Sequence, residues 1–163
     1  MKNDDDNQLR PRSDDADPAS SFSERLDTGP QAAGQARSAV RRALAAWGMT
    51  DLSADAELLA SELVANSSEH APGSPIGLVL RRHLMAERPD GIVCEVSDSS
   101  PVLPQARVAS PAEERGRGLA IVAALADDTG VRARPDGKTT WFTLALSERA
   151  RRLSRGAEPE AGA

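Results

Sequence analysis

Aromatic side chains are scarce in this sequence of 163 residues, which has two Trp, two Phe and no Tyr. Its apolar residues are mainly Ala, Leu and Val, and they recur in periodic blocks. We therefore expect a hydrophobic core built from aliphatic layers. The length favours a single domain with tails.

Cysteine and long apolar runs are also nearly absent. Cys94 is the only cysteine, which excludes an intrachain disulfide and a cysteine-based metal cluster. No apolar run approaches the roughly 20 residues that cross a bilayer. The acidic start, with Asp4, Asp5 and Asp6, is the reverse of a secretory signal. The sequence therefore predicts a cytoplasmic protein without a membrane partner.

Basic surface is limited as well. The formal net charge is −5, and the basic runs at Arg81-Arg82 and 149–152 are short. Nucleic-acid-binding domains usually carry a basic patch or stripe. We expect no direct contact with nucleic acid, and we interpret the short runs as solvated charge.

The two ends of the chain differ in composition from its middle. Residues 1–20 are rich in Asp, Asn, Pro and Ser, and residues 149–163 mix Arg, Glu, Pro, Gly and Ala. Segments with so little apolar surface to bury are predicted to be disordered. The folded domain is therefore predicted to span residues 21–148.

Within that domain the hydrophobic periodicity changes in a clear order. The predicted elements are a strand at 22–26, a helix from Thr28-Gly29-Pro30 to Gly48, a helix capped by Ser53 and ending at His70, strands at 76–80 and 92–96 around a turn at 87–91, a helix at 116–126, and a hairpin with strands at 130–134 and 138–146. The order β-α-α-β-β-α-β-β predicts a two-layer α/β (α+β) sandwich. Its sheet would be mixed but largely antiparallel, with about three helices on one face.

The second helix carries the first chemical signal, the segment ELVANSSEHA at 62–71. Glu62 and Asn66 lie one helical turn apart, at the edge of an apolar arc formed by Ala56, Leu59 and Leu63. An amide oxygen suits Mg²⁺, and a carboxylate can accept a hydroxyl proton. Taken alone, the pair also fits an ordinary exposed helix face.

Three further positions are weak signals on their own. Asp98 ends a strand, where a carboxylate can accept a hydrogen bond from an exocyclic amine or simply form a turn. Gly116 and Gly118 open a helix whose free N–H groups can bind phosphate, although glycine precedes many helices. Thr139, in the strand GKTTWF, could hold a water molecule beside Asp98.

Taken in order, the segments ELVANSSEHA, EVSDSSPVLP, GRGLAIVAALA and GKTTWF resemble the motifs of GHKL ATPases. The closest resemblance is to the anti-sigma-factor serine kinases, and it covers roughly residues 21–146. It implies the histidine-kinase-like ATPase fold and binding of ATP with Mg²⁺. It departs from the family at Ser67 and Ser68, and its lid begins SSPVLP, as in the actinobacterial branch.

The resemblance also implies roles for individual residues. Glu62 corresponds to the general base, Asn66 to the Mg²⁺-binding amide and Asp98 to the acid that binds the adenine amine. Thr139 corresponds to the threonine near that acid, and residues 99–115 correspond to the ATP lid. The remaining predicted nucleotide-binding residues surround the glycine-containing helix start: Arg115, Gly116, Gly118 and Leu119.

Two functions remain open from the sequence. The resemblance implies a serine/threonine kinase that phosphorylates a small anti-sigma-factor antagonist, sequesters a sigma factor and forms a homodimer. The alternative is a non-catalytic, ATP-dependent protein-binding regulator. A phosphatase or nuclease is disfavoured because the sequence has no cluster of metal ligands.

Overall fold

The computed structural model describes residues 18–85, 88–102 and 117–146. Its strands and helices follow the predicted order: β1 Ser21–Leu26, α1 Ala32–Ala46, α2 Ser53–His70, β2 Ile76–Met85, β3 Arg88–Asp98, α3 Arg117–Leu125, β4 Asp128–Arg134 and β5 Gly137–Ala145. Short 3-10 helices precede β1 and α2, at Pro18–Ser20 and Thr50–Leu52. All of these elements fall within the predicted domain except the 3-10 helix Pro18–Ser20, which lies in the N-terminal tail that was predicted to be disordered. This part of the prediction is wrong, because the Ala19 carbonyl accepts a hydrogen bond from the indole N–H of Trp47 and so ties the segment to the domain. The rest of both predicted tails lies outside the described residues.

The five strands form one sheet in the order β1-β2-β3-β5-β4, and every adjacent pair is antiparallel. The pairs β2–β3 and β4–β5 are hairpins, and β3 pairs with β5 to join them. Together with the three helices, this sheet forms the α/β sandwich expected of a histidine-kinase-like ATPase fold. The predicted fold class is confirmed, with a sheet that is antiparallel at each pairing among the described strands.

Strand alternation explains which side of the sheet is buried. Ile76, Leu78 and Leu80 are buried at every second position of β2, and Phe142 and Leu144 do the same on β5. Successive side chains on a strand point to opposite faces. One face of the sheet therefore supplies an apolar layer for the helices.

The helices complete the core with small aliphatic side chains. The buried stripe of α1 includes Ala36, Val40 and Leu44, and that of α2 includes Leu59 and Leu63. A salt bridge of 2.7 Å between Arg41 and Glu57 links the exposed edges of α1 and α2. Because Phe142 is the only fully buried aromatic side chain among the described residues, the core is the aliphatic one that the composition predicts.

Two local predictions are wrong. Ser53 does not cap α2: the preceding 3-10 helix already turns the chain, so Leu52 is the N-cap residue and no side-chain capping bond forms. The predicted turn at 87–91 is too long. β3 begins at Arg88, because residues 88 and 91 pair with Met85 and His83, and Gly91 also pairs with Ala145 of β5.

Within the described ranges, none of the helices combines the length and hydropathy needed to cross a bilayer.

Candidate functional site

A polar stripe runs along α2 beside the core. Glu62, Asn66 and His70 follow one another at intervals of four residues, so they lie on one side of the helix. The stripe is about 12 Å long, from the helical rise of 1.5 Å per residue. Glu62 and Asn66 are half-buried, and neither forms a hydrogen bond or ion pair with another described residue. Within the described part of the chain, the polar atoms of both side chains are therefore available to a ligand.

The Glu62 end of the stripe lies against the first turn of α3. A Cβ atom at Gly118 would collide with Oε2 of Glu62, so only glycine lets the carboxylate lie this close to the helix. The first turn of a helix presents backbone N–H groups that bind anions such as phosphate. The structure therefore brings together two of the predicted site residues, the acid and the second glycine.

The other residues predicted near Gly118 are only partly accounted for. Leu119 is half-buried and packs against the hydrophobic core. Arg115 and Gly116 lie outside the described residues, as does most of the predicted lid.

Asp98 ends β3 and is buried on the helix side of the sheet, since Cys94 and Val96 at alternate positions belong to the core. Its Oδ1 accepts a hydrogen bond of 2.9 Å from the backbone N–H of Ser100. Its Oδ2 lies 3.3 Å from Nζ of Lys138, an ion-pair distance, but the direction of that contact makes no hydrogen bond. Among the described residues, Oδ2 is thus a buried acceptor that lacks a hydrogen-bond donor.

Lys138 belongs to the candidate site, although the sequence motifs did not predict it. Its side chain is fully buried, and its Nζ lies 3.2 Å from Nδ1 of His70, at the end of the α2 stripe. The lysine thus connects Asp98 on the sheet to the last turn of α2. Counting back by two from the apolar Phe142 of β5 reaches Lys138, so strand alternation could have placed it on the inner face.

Gly137 fixes the position of this lysine. Its φ of +152° disfavours other residues, and a Cβ atom there would collide with the backbone carbonyl oxygen of Asp98. The close approach sets the register in which Lys138 lies directly opposite Asp98.

Thr139 does not lie beside Asp98, contrary to the expected geometry. It is paired with Ser97, and their hydroxyl oxygens are 2.8 Å apart. Both residues alternate with the inward pair Asp98 and Lys138, so they point to the opposite face of the sheet.

An open groove of about 450 Å³ lies at the same end of the sheet but not on α2. Its lining includes Ser23, Arg25, Gly77 and Arg134, together with Asp98 at the end of β3. Glu62, Asn66 and Lys138 are absent from this lining. We place the functional site on the helix side because the acceptor Oδ2, the α2 stripe and the start of α3 meet there.

The polar groups on this side fit ATP. The acceptor Oδ2 of Asp98 matches an exocyclic amine, and the first turn of α3 matches phosphate. Asn66 offers an amide oxygen, a ligand type that suits Mg²⁺, and the Glu62 carboxylate lies one helical turn away from it. The described part of the chain has no cluster of three or more His, Cys, Asp or Glu side chains that could hold a metal ion. A metal at this site would therefore depend on phosphate oxygens and water for its other ligands.

Comparison with known families assigns the chain to a class. The model of the histidine kinase-like ATPase domain matches residues 26–144, which include every element from α1 to β4 and nearly all of β5. The chain belongs to this family of ATPase domains. The family assignment implies ATP binding.

No curated protein matches this chain. Among solved structures, the histidine kinase domain from the Erythrobacter litoralis EL346 blue-light activated histidine kinase is similar at 16% sequence identity, with a TM-score of 0.48. The similarity covers 75% of this chain and 63% of that one, so this chain spans less than two thirds of that structure's length.

Proposed function

We propose that this protein is an ATP-dependent serine/threonine protein kinase that also acts as an anti-sigma factor in a partner-switching pathway. The observation that carries the proposal is the position of the α2 stripe. Its His70 end contacts Lys138, which lies beside Asp98, the acceptor for the adenine base. Its Glu62 end lies beside the start of α3, where backbone N–H groups can bind phosphate. An ATP molecule laid along α2 would meet complementary groups at both ends.

The base would bind at Asp98. Its Oδ1 is held by the N–H of Ser100, and its buried Oδ2 can accept a hydrogen bond from the amine of adenine. A hydrogen bond to a charged group contributes about 1.5–3 kcal/mol.

The phosphates would extend along α2 toward the first turn of α3. Asn66 offers its amide oxygen to Mg²⁺, which when bound neutralises the phosphate charge and orients the transferring group. The N–H groups at the start of α3 can hold the phosphate oxygens, and Gly118 keeps that approach open.

Glu62 would act as the general base. A partner's serine or threonine hydroxyl gives its proton to the Glu62 carboxylate as its oxygen bonds to the γ-phosphorus, while the bond to the ADP oxygen breaks. Phosphoryl transfer of this kind depends mainly on positioning and charge stabilisation. The half-buried Glu62, without an internal partner among the described residues, supports this role.

The partners follow from the resemblance to anti-sigma-factor kinases. We propose that the phosphoryl acceptor is a small antagonist protein, that a sigma factor is bound when the antagonist is phosphorylated, and that the kinase is a cytoplasmic homodimer. Membership of the histidine kinase-like ATPase family supports the nucleotide-dependent part of this proposal.

The decisive experiment is transfer of radiolabel from [γ-³²P]ATP to candidate antagonists encoded with this protein. Glu62→Gln should bind ATP nearly as the wild type does and transfer phosphate about 10²–10⁴-fold more slowly, because it removes only the proton acceptor. Asn66→Ala should lose the Mg²⁺-dependent part of nucleotide affinity while keeping the fold.

Glu69→Gln is the matched control, since Glu69 lies on the same helix but is exposed. Unchanged transfer by Glu62→Gln would exclude Glu62 as the base. ATP binding without transfer to any antagonist would instead identify the second function, a non-catalytic ATP-dependent regulator that binds a protein partner.

A further inference from the structure

Lysine is used sparingly in this chain. Of the twenty basic residues, eighteen are arginine and only Lys2 and Lys138 are lysine. Lys2 lies outside the described residues, and Lys138 is fully buried against Asp98. A lysine ammonium is a compact charge with rotatable donors, unlike the broad planar fork of arginine. The buried cation beside Asp98, where the adenine base is proposed to bind, is therefore the compact lysine and not an arginine.

The contacts of Lys138 leave donors free. An ammonium group has three N–H donors. Within the described part of the chain, Nζ makes one hydrogen bond, to Nδ1 of His70, and its contact with Asp98 is an ion pair without hydrogen-bond geometry. Nζ therefore retains N–H groups close to the acceptor Oδ2, and a donor and an acceptor lie 3.3 Å apart.

Adenine carries the complementary pair of groups. Its amine is a donor, and a ring nitrogen acceptor lies on each side of it, at N1 and N7. Guanine has an oxygen acceptor in place of the amine, and that oxygen would face the Asp98 carboxylate.

We propose that Asp98 and Lys138 recognise the adenine base together. Oδ2 of Asp98 accepts a hydrogen bond from the adenine amine, and Nζ of Lys138 donates a hydrogen bond to an adjacent ring nitrogen. This rests on the proposed ATP binding and adds a residue that determines base specificity. Both side chains are about 1% exposed, so the contacts would form away from water. Charged hydrogen bonds are strengthened in such surroundings.

The test compares ATP, 1-deaza-ATP and 7-deaza-ATP by calorimetry on the full chain. One of the two analogues should bind wild-type protein about 10- to 100-fold more weakly than ATP, because it lacks the acceptor for Lys138. Which analogue is weakened identifies the ring nitrogen. GTP should bind more weakly than either analogue.

Lys138→Met removes the donor while keeping a long apolar side chain. It should weaken ATP binding by a similar factor and abolish the preference for ATP over the sensitive analogue. A lysine with only a structural role would give a uniform loss for all nucleotides with the preference unchanged, and that result would overturn the proposal.

A second pair of variants covers the case in which Lys138→Met does not fold. Asp98→Asn is then compared with the double variant Asp98→Asn/Lys138→Met, in which both charges of the buried pair are gone. The preference for ATP over the sensitive analogue should persist in the first and disappear in the second.

The failures of the two proposals are distinguishable. Wild-type protein that binds no ATP overturns the proposed function and this inference together. Wild-type protein that binds ATP and both deaza analogues equally, with Asp98→Asn weakening all three, overturns only the role of Lys138.

Discussion

Burial makes Asp98 and Lys138 depend on each other. Their side chains lie 3.3 Å apart and are almost completely shielded from water. A charge removed from water is costly unless it is paired. Removing one partner of a buried pair therefore leaves the other uncompensated. A substitution at either position is therefore expected to change the stability of the fold as well as the proposed nucleotide binding, and mutants must be measured for both properties.

Asp98→Asn should weaken ATP binding by about 1–3 kcal/mol, because the amine loses a charged acceptor. It should also lower the free energy of unfolding, since Lys138 is left unpaired. Calorimetry and urea denaturation measure the two effects separately. Asp136→Asn is the control: its carboxylate forms a surface ion pair with Arg134 and is 76% exposed, so neither quantity should change appreciably. Equal ATP affinities for wild type and Asp98→Asn would refute the assigned role.

Cys94 makes the stability of the folded protein depend on pH in the alkaline range. Burial raises the pKa of its thiol, and the neighbouring Glu95 carboxylate adds to the shift. Above about pH 8.5, where an unfolded cysteine ionises, unfolding therefore releases a proton. The free energy of unfolding should fall by about 1.4 kcal/mol per pH unit from this group alone.

Cys94→Val should remove that component. Urea denaturation at pH 8, 9 and 10 would show a shallower decline for the variant, whatever its stability at pH 8. The chain has no tyrosine, so few other groups titrate in this range. Parallel declines for wild type and variant would contradict the prediction.

The predicted position of Thr139 beside Asp98 was wrong because it depends on the register between β3 and β5. The motif GKTTWF places a threonine in the site by resemblance, but pairing of β5 with β3 turns Lys138 toward Asp98 and Thr139 away from it. A shift of one residue would exchange the two faces. Alternation counted from Phe142 shows which face Lys138 occupies, but its position directly opposite Asp98 depends on the backbone contact at Gly137, which no periodicity in the sequence reveals.

At the scale of elements, the start of α3 and the middle of α2 are sterically coupled. The position that a Cβ atom would take at Gly118 is occupied by the Glu62 carboxylate. The acid and the helix start can approach only while residue 118 has no side chain. The geometry at the proposed phosphate end of the site therefore depends on both helices.

Gly118→Ala should behave differently in two backgrounds. In Glu62→Ala protein it should stabilise the fold by about 0.5–1 kcal/mol, because alanine is the better helix former. In wild-type protein the gain should be reduced or reversed, because the Glu62 carboxylate must move. Chemical denaturation of the four proteins completes the cycle. An identical effect of Gly118→Ala in both backgrounds would show that the two residues are not coupled.

Most of the elements were predictable because they have a clear period, although β4 is exposed at nearly every position. The alternating Ile76, Leu78 and Leu80 and the helical stripe of Leu59 and Leu63 are both buried as expected. The boundaries were less predictable. The Pro89-Asp90-Gly91 sequence has turn composition, but cross-strand pairing keeps these residues in β3. Local composition is overridden there by pairing with the hairpin neighbour β2 and, at Gly91, with β5, which is distant in sequence.

For the molecule as a whole, the limit of the folded domain can be tested by truncation. Deleting residues 1–17 should leave the melting temperature and ATP binding unaltered, since that segment has almost no apolar side chain to bury. Extending the deletion through Ala19 should cost about 1 kcal/mol, because the Ala19 carbonyl accepts a hydrogen bond of 3.0 Å from the indole N–H of Trp47. A marked fall in melting temperature for the shorter deletion would show that the segment contributes to the fold.

Because Lys138 is buried, its chemical modification can be used to measure local opening of the fold. Acylating reagents modify lysine amines and not guanidinium groups, so they should spare Lys138 while the chain is folded, because its side chain is about 1% exposed. Acylation of Lys138 then requires transient opening around β5, and its rate relative to that in urea-unfolded protein measures how often the opening occurs. Mass spectrometry of the peptide that contains Lys138 would follow the reaction.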